Sequence, residues 1–195
     1  MLVEKEFKKK LIDKLNAINP GWSDGDKDIK RKKKADIVNH LLKIAIEIKT
    51  DQHYKMDIPP PDVRKTHKAD LSLMNKRFAD HIRSAYSKFK EYREYKTILL
   101  IRTKFPVVNI IREAIEGIPT YKRPPNGGRP LNYIRRERKY SEYIRKEIGC
   151  FLIFSEDTYF KPGIYFLPNK FAEKIRILSK KEVEELFGLT FEDVP

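Results

Sequence analysis

Residues 35–50 read ADIVNHLLKIAIEIKT, and the way this stretch pairs with itself decides the fold. Ile44, Ile46 and Ile48 alternate with Ala45, Glu47 and Lys49. Side chains alternate faces along an extended strand. The isoleucines therefore point into a core under a helix, and Glu47 and Lys49, with Lys43, point the other way. Upstream, Asp36 and Val38 share one face and Ile37 takes the opposite one. Antiparallel pairing about a turn centred near Leu41 and Leu42 sets Asp36 almost opposite Glu47. Two carboxylates and a lysine then converge on one spot. NHLL lacks the glycine or Asn-Gly pair that favours a tight hairpin turn, so this register rests on the alternation alone. The competing reading is a half-exposed strand whose charges only face water.

Outward from this stretch, Val3, Phe7, Leu11, Leu15 and Ile18 recur at helical spacing and predict an amphipathic helix over residues 2–18, ended by NPGWSDGD. A basic run, KDIKRKKK, leads into the strand pair, and DIPPPDVRKTHK is a proline-broken loop. A long helix is expected from about Asp70 to Tyr95, with Phe78, Ile82, Tyr86 and Phe89 as its apolar stripe. KTILLIRT has the look of a strand buried on both faces. PVVNIIREAIEG is a helix punctuated by Pro106 and Gly117. A basic Pro/Gly loop and an Arg- and Tyr-rich helix come next, then strands in GCFLIFSE and GIYFLP, and a short helix in SKKEVEELFGL. The order predicts an α/β fold with a central mixed β-sheet flanked by helices. No internal repeat or composition break marks a second domain, so residues 1–195 are expected to form one.

Lysine and arginine total 42 against 28 aspartates and glutamates, a net charge of +14. A field of that sign suits a polyanion, nucleic acid first and an anionic membrane surface second. The one cysteine, Cys150, excludes an internal disulfide, a Cys-based zinc finger and a cysteine-ligated iron–sulfur cluster. MLVEKEFKKK carries no signal-peptide h-region, and runs such as ILLI are too short to span a bilayer. A soluble cytoplasmic protein without membrane contact is the expectation. His40, His53, His67 and His81 form no zinc motif, and Tyr133, Tyr140 and Tyr143 lack the His-x-x-Arg box of a tyrosine recombinase. No Walker-type phosphate loop is present, so no nucleotide cofactor is expected.

Two carboxylates and a backbone carbonyl make a hard oxygen site suited to Mg²⁺ or Mn²⁺. Such an ion acidifies water and offsets charge developing on a phosphate, and a neighbouring lysine can hold that water and stabilise the transition state. A helix bearing glutamate, then Asp36, then Glu47-x-Lys49, then helix and strand, resembles the PD-(D/E)xK nuclease superfamily over residues 1–103. KRKKKADIVNHLLKIAIEIK is most similar to archaeal Holliday-junction resolvases, and type II restriction endonucleases belong to the same superfamily. The resemblance implies a restriction-endonuclease-like core followed by a C-terminal α/β extension over 104–195. It implies metal binding by Asp36, Glu47 and the Ile48 carbonyl, with Lys49 beside the attacking water. It also implies a glutamate on the first helix. Glu4 shares the face of Phe7, Leu11 and Leu15, whereas Glu6 aligns with Lys9, Lys10 and Asp13 on the wet side, so Glu4 is the better candidate.

The expected activity is metal-dependent endonucleolytic cleavage of DNA. The alternatives are a non-catalytic nucleic-acid-binding protein of the same fold and an RNA-cleaving relative. Phosphate contacts are expected from Lys30, Arg31, Lys32, Lys33 and Lys34, and from the basic segment 121–146, including Arg135, Arg136, Arg138 and Lys139. Cutting two strands calls for two sites, so a homodimer is expected, in contact through the tyrosine-rich C-terminal half.

Overall fold

The computed structural model describes residues 2–27, 31–50, 80–103, 146–155 and 163–193. Helix α1 (Leu2–Ile18) comes first. It is followed by strands β1 (Trp22–Asp24), β2 (Ile37–Asn39) and β3 (Ile44–Thr50). A helix over residues 80–89, α2, precedes β4 (Lys96–Thr103). Strands β5 (Cys150–Ser155) and β6 (Gly163–Pro168), helix α3 (Lys180–Phe187) and β7 (Glu192–Asp193) complete the described elements. The seven described strands form one sheet in chain order, β1 to β7. β2 runs antiparallel to both β1 and β3, β4 lies parallel to both β3 and β5, β6 is antiparallel to β5, and β7 is parallel to β6. The protein is thus α/β with a mixed sheet, as its element pattern predicts.

The two faces of the sheet carry separate cores. Ile37, Ile44, Ile46, Ile48, Ile98, Leu100 and Leu152 face α1 and α3, where Leu11, Leu15, Val183 and Phe187 meet them. Val38, Ala45, Leu99, Ile101, Phe151 and Ile153 face α2, which contributes Ile82, Ala85 and Phe89. β4 has helices over both faces and is buried from Thr97 to Thr103, which accounts for its unbroken apolar run.

Three expectations are corrected. WSD, inside the segment read as a helix terminator, is a strand: Trp22 pairs with Asn39 and Asp24 with Ile37. Three residues are too few to show a period, and the Asn16 side chain holds the strand by bonding both the N–H and the carbonyl of Trp22 at 2.9 Å. Helix α2 ends at residue 89, short of Tyr95. Its end tightens through Glu91 N–H to Lys88 O and Tyr92 N–H to Phe89 O bonds, and the fully buried Tyr92 turns back to accept the Ala35 N–H on its hydroxyl. Lys43 belongs to the turn and not to β3; it has φ +51° and pairs with Glu94 at 3.0 Å. The expected helix over 106–117, residues 70–79 of the long helix and the basic segment up to residue 145 lie outside the described residues.

The hairpin turn finds its chemistry in the side chain of the first residue of NHLL. Asn39 is fully buried. Its Oδ1 accepts the N–H groups of Leu41 (3.0 Å) and Leu42 (2.9 Å), and its amide donates to Pro20 O. An Asx turn of this kind replaces the missing glycine.

Helix α3 opens with a capping box between Ser179 and Glu182. Lys96 at 2.6 Å and the Ser179 N–H and hydroxyl pull the Glu182 carboxyl down to about 2. Replacing Ser179 by alanine is expected to lower stability by about 1 kcal/mol, measured by denaturant unfolding near neutral pH. Because this carboxyl is depressed, its contribution is present above the ordinary carboxylate range and fades as the pH falls towards about 2.

Candidate functional site

The β2–β3 register pairs Ile37 with Ile46, Val38 with Ala45 and Asn39 with Ile44. Carried one residue further, it sets Asp36 opposite Glu47, as the alternation predicts. The junction is tied by a hydrogen bond past the end of the ladder: the Ile48 N–H donates to Asp36 Oδ2 at 2.7 Å. This leaves Asp36 Oδ1 facing the α2 side of the sheet.

Glu47 is fully buried, while the Asp36, Lys49 and Lys88 side chains are 20%, 19% and 26% exposed. The site is therefore a buried carboxylate with a partly open rim. Lys49 Nζ lies 2.7 Å from Glu47 Oε1. A second lysine, Lys88 near the end of α2, lies 2.7 Å from Oε1, 2.8 Å from Oε2 and 3.7 Å from Asp36 Oδ1. Oε1 thus has two cations at ion-pair distance yet no well-directed hydrogen bond.

Burial and the Asp36 charge push the Glu47 carboxyl up to about 7, against the opposing pull of Lys49 and Lys88. Burial alone would lower the Lys88 ammonium, but Glu47 and Asp36 outweigh it and raise it above its ordinary value.

Lys88 is the participant that sequence reasoning missed. Its signal was its place one residue before Phe89 and three after Ala85, two fully buried residues on the helix face that covers β3. Ala45 and Ala85 both belong to that core. That shared core holds α2 where Lys88 reaches Glu47.

Glu4 lies in the first turn of α1. Helix α1 packs on the opposite face of the sheet, and no described hydrogen bond or ion pair joins half-buried Glu4 to Asp36, Glu47 or Lys49. Glu6 lies on the wet side and pairs with Lys10 at 2.7 Å. Near the same rim, Lys8 of α1 bridges Asp24 (2.6 Å) and Asp26 (3.1 Å), an interaction not anticipated from sequence. Among the described residues, no three or more His, Cys, Asp or Glu side chains gather as a ready metal cage.

The basic run divides into two kinds of residue. Lys32 and Lys33 are exposed. Arg31 caps the aromatic pair Tyr92 and Tyr95, its guanidinium 4.1 and 5.2 Å from their ring centres, and Lys34 donates to the Asp26 carbonyl at 2.8 Å. Lys30 and the candidate phosphate-binding residues Arg135, Arg136, Arg138 and Lys139 lie outside the described residues. No described helix is long and apolar enough to cross a membrane.

The donor set suits a hard divalent cation. Asp36 Oδ1 and Glu47 Oε1 are carboxylate oxygens already gathered around a positive charge. In a strand, one residue's N–H and C=O leave on the same side, so the Ile48 carbonyl heads towards the side where its N–H meets Asp36. No family model matches the chain, and no curated protein or solved structure is significantly similar to it.

Proposed function

We propose that the protein is a metal-dependent endodeoxyribonuclease with a restriction-endonuclease-like core. The observation that carries this reading is the register that sets Asp36 opposite Glu47 with Lys49 2.7 Å away. The order α1, the antiparallel pair β2 and β3, α2 and parallel β4 supports it, being the order on which the resemblance to PD-(D/E)xK nucleases rests.

Asp36, Glu47 and the Ile48 carbonyl would hold Mg²⁺ or Mn²⁺. A divalent ion bound there supplies Lewis acidity towards water and a phosphate oxygen. Lys49 orients the attacking water at the rim and offers its ammonium to the charge growing on the phosphate. The apolar cores on both faces fix the strands that carry these groups, so they need little reorganisation as charge develops. The working form in this reading is a homodimer, with one site for each strand of a duplex.

A second reading, a nucleic-acid-binding protein without catalysis, is favoured by one observation: two lysines already balance the two carboxylates. One experiment separates the two. The protein is incubated with supercoiled, linear, single-stranded and four-way-junction DNA in Mg²⁺, in Mn²⁺ and in chelator. Cleavage that needs the metal supports the nuclease; tight binding without cleavage in any condition supports the binder.

Of the described residues 31–34 next to Asp36, Lys32 and Lys33 are the exposed ones. Changing both to alanine is expected to weaken DNA binding across sequences. The slope of log affinity against log salt should flatten by about 0.9 for each phosphate that the protein no longer neutralises. A titration across salt concentrations measures this, and an unchanged slope would make the pair a merely solvated face.

A further inference from the structure

The position between the two carboxylates is already filled by the protein itself. Lys88 Nζ straddles both oxygens of Glu47, at 2.7 and 2.8 Å, and faces Asp36 Oδ1 at 3.7 Å. Asp36 Oδ2 is engaged by the Ile48 N–H. The carboxylate oxygens left for a divalent ion are therefore the ones that the ammonium spans. Magnesium binds its oxygens at about 2.0–2.1 Å, so an ion on Glu47 and Asp36 Oδ1 would crowd Lys88 Nζ closely, with like charges opposed.

We infer that Lys88 is a tethered counter-ion, which holds Asp36 and Glu47 together in the metal-free protein and must swing out for a divalent cation to enter. This inference rests on the reading of Asp36 and Glu47 as a metal site. The displacement is feasible because Lys88 is partly exposed and carries its charge on a flexible four-carbon stem. Among the described residues, its strand-borne counterpart, Lys49, pairs with Glu47 Oε1 and not with Asp36.

Two consequences follow for the proposed enzyme. Metal affinity is set low, since each ion entering must break an existing ion pair. A polyanion arriving at the rim offers the released ammonium a new phosphate partner, so metal and DNA each strengthen the binding of the other.

The test is metal binding without turnover. Mn²⁺ affinity is measured by electron paramagnetic resonance on wild-type protein, Lys88→Met and Lys49→Met, with no DNA present. Lys88→Met is expected to bind Mn²⁺ at least tenfold more tightly than wild type, and to gain more than Lys49→Met does. Its melting temperature should fall in chelator and recover more on Mn²⁺ addition than that of wild type. Should Lys88→Met fold poorly, Lys88→Gln removes the charge while keeping a polar head.

Equal or weaker Mn²⁺ binding in the Lys88 variant, with measurable binding to wild type, overturns the counter-ion role and leaves the metal site standing. An equal gain from Lys49→Met also overturns it, since any nearby charge would then suffice. No Mn²⁺ binding in any of the proteins overturns the metal reading and the counter-ion with it.

Discussion

A Lys49→Ala protein is expected to fold, to retain divalent metal and DNA, and to cleave about 10²–10⁴-fold more slowly than wild type. Among the described residues Lys49 pairs with Glu47 of its own strand, so its loss leaves the Ile48–Asp36 bond of the β2–β3 junction in place. Asp36→Ala should behave differently. It removes the acceptor of the Ile48 N–H together with one of the two carboxylates, so metal binding and cleavage should disappear together. Metal titration, DNA binding in chelator and single-turnover cleavage on both variants separate the two roles. Full activity in Lys49→Ala would sink the mechanism proposed above.

The largest expected loss of stability lies away from these charges. Arg176 is 1% exposed, and its guanidinium meets Glu147 Oε2 at 2.5 Å while donating to the carbonyls of Tyr92 and Tyr95. Removing one member of a buried ion pair leaves the other charged and desolvated, at a cost of about 3–5 kcal/mol. Glu147→Ala is accordingly expected to lower the unfolding free energy by about that amount, with a melting temperature roughly 6–20 °C lower. Glu147→Gln keeps an acceptor for the guanidinium and should lose less. Denaturant unfolding checks both, and a loss under about 1 kcal/mol in Glu147→Ala would mean that the pair is solvated in solution. The effect should reach the candidate site, because Tyr92 and Tyr95 belong to the turns that follow α2 and Lys88. The packing here is tight as well: a Cβ on Gly149 would lie 1.8 Å from the Arg176 carbonyl oxygen.

Much of the site was legible because it depends on a period of two. Ile44, Ile46 and Ile48 fixed the face of β3 that meets α1, and a register centred on Leu41 and Leu42 placed Asp36 against Glu47. The identity of the turn was harder to read, because Asn39 acts through its side chain and no Gly signal accompanies it. Lys88 was harder still. Its distance from Glu47 depends on how α2 is rotated and how low it sits over β3, and those follow from packing between residues 41 positions apart. β1 escaped notice because three residues owe their extended form to pairing with β2 and to the Asn16 clamp. Helical phase told which side of α1 is wet: Glu6 is exposed and Glu4 half-buried. Helical phase could not say which face of the sheet that helix would cover.

The chain-order sequence of strands, β1 through β7, bears on how the protein is born. Each described strand can dock on the edge left by the one before as it leaves the ribosome, and none of them need be threaded between two already placed. Asp36, Glu47, Lys49 and Lys88 all precede β4, so the charged group can be assembled while most of the C-terminal half is still unmade. The vulnerable interval comes next. From the completion of β4 at Thr103 until β5 begins at Cys150, KTILLIRT has β3 on one side but lacks its β5 partner on the other, an apolar edge of the kind that templates aggregation. At roughly 5–20 residues per second that edge stays open for several seconds, and nascent chains stalled in this window are the ones on which a chaperone would act.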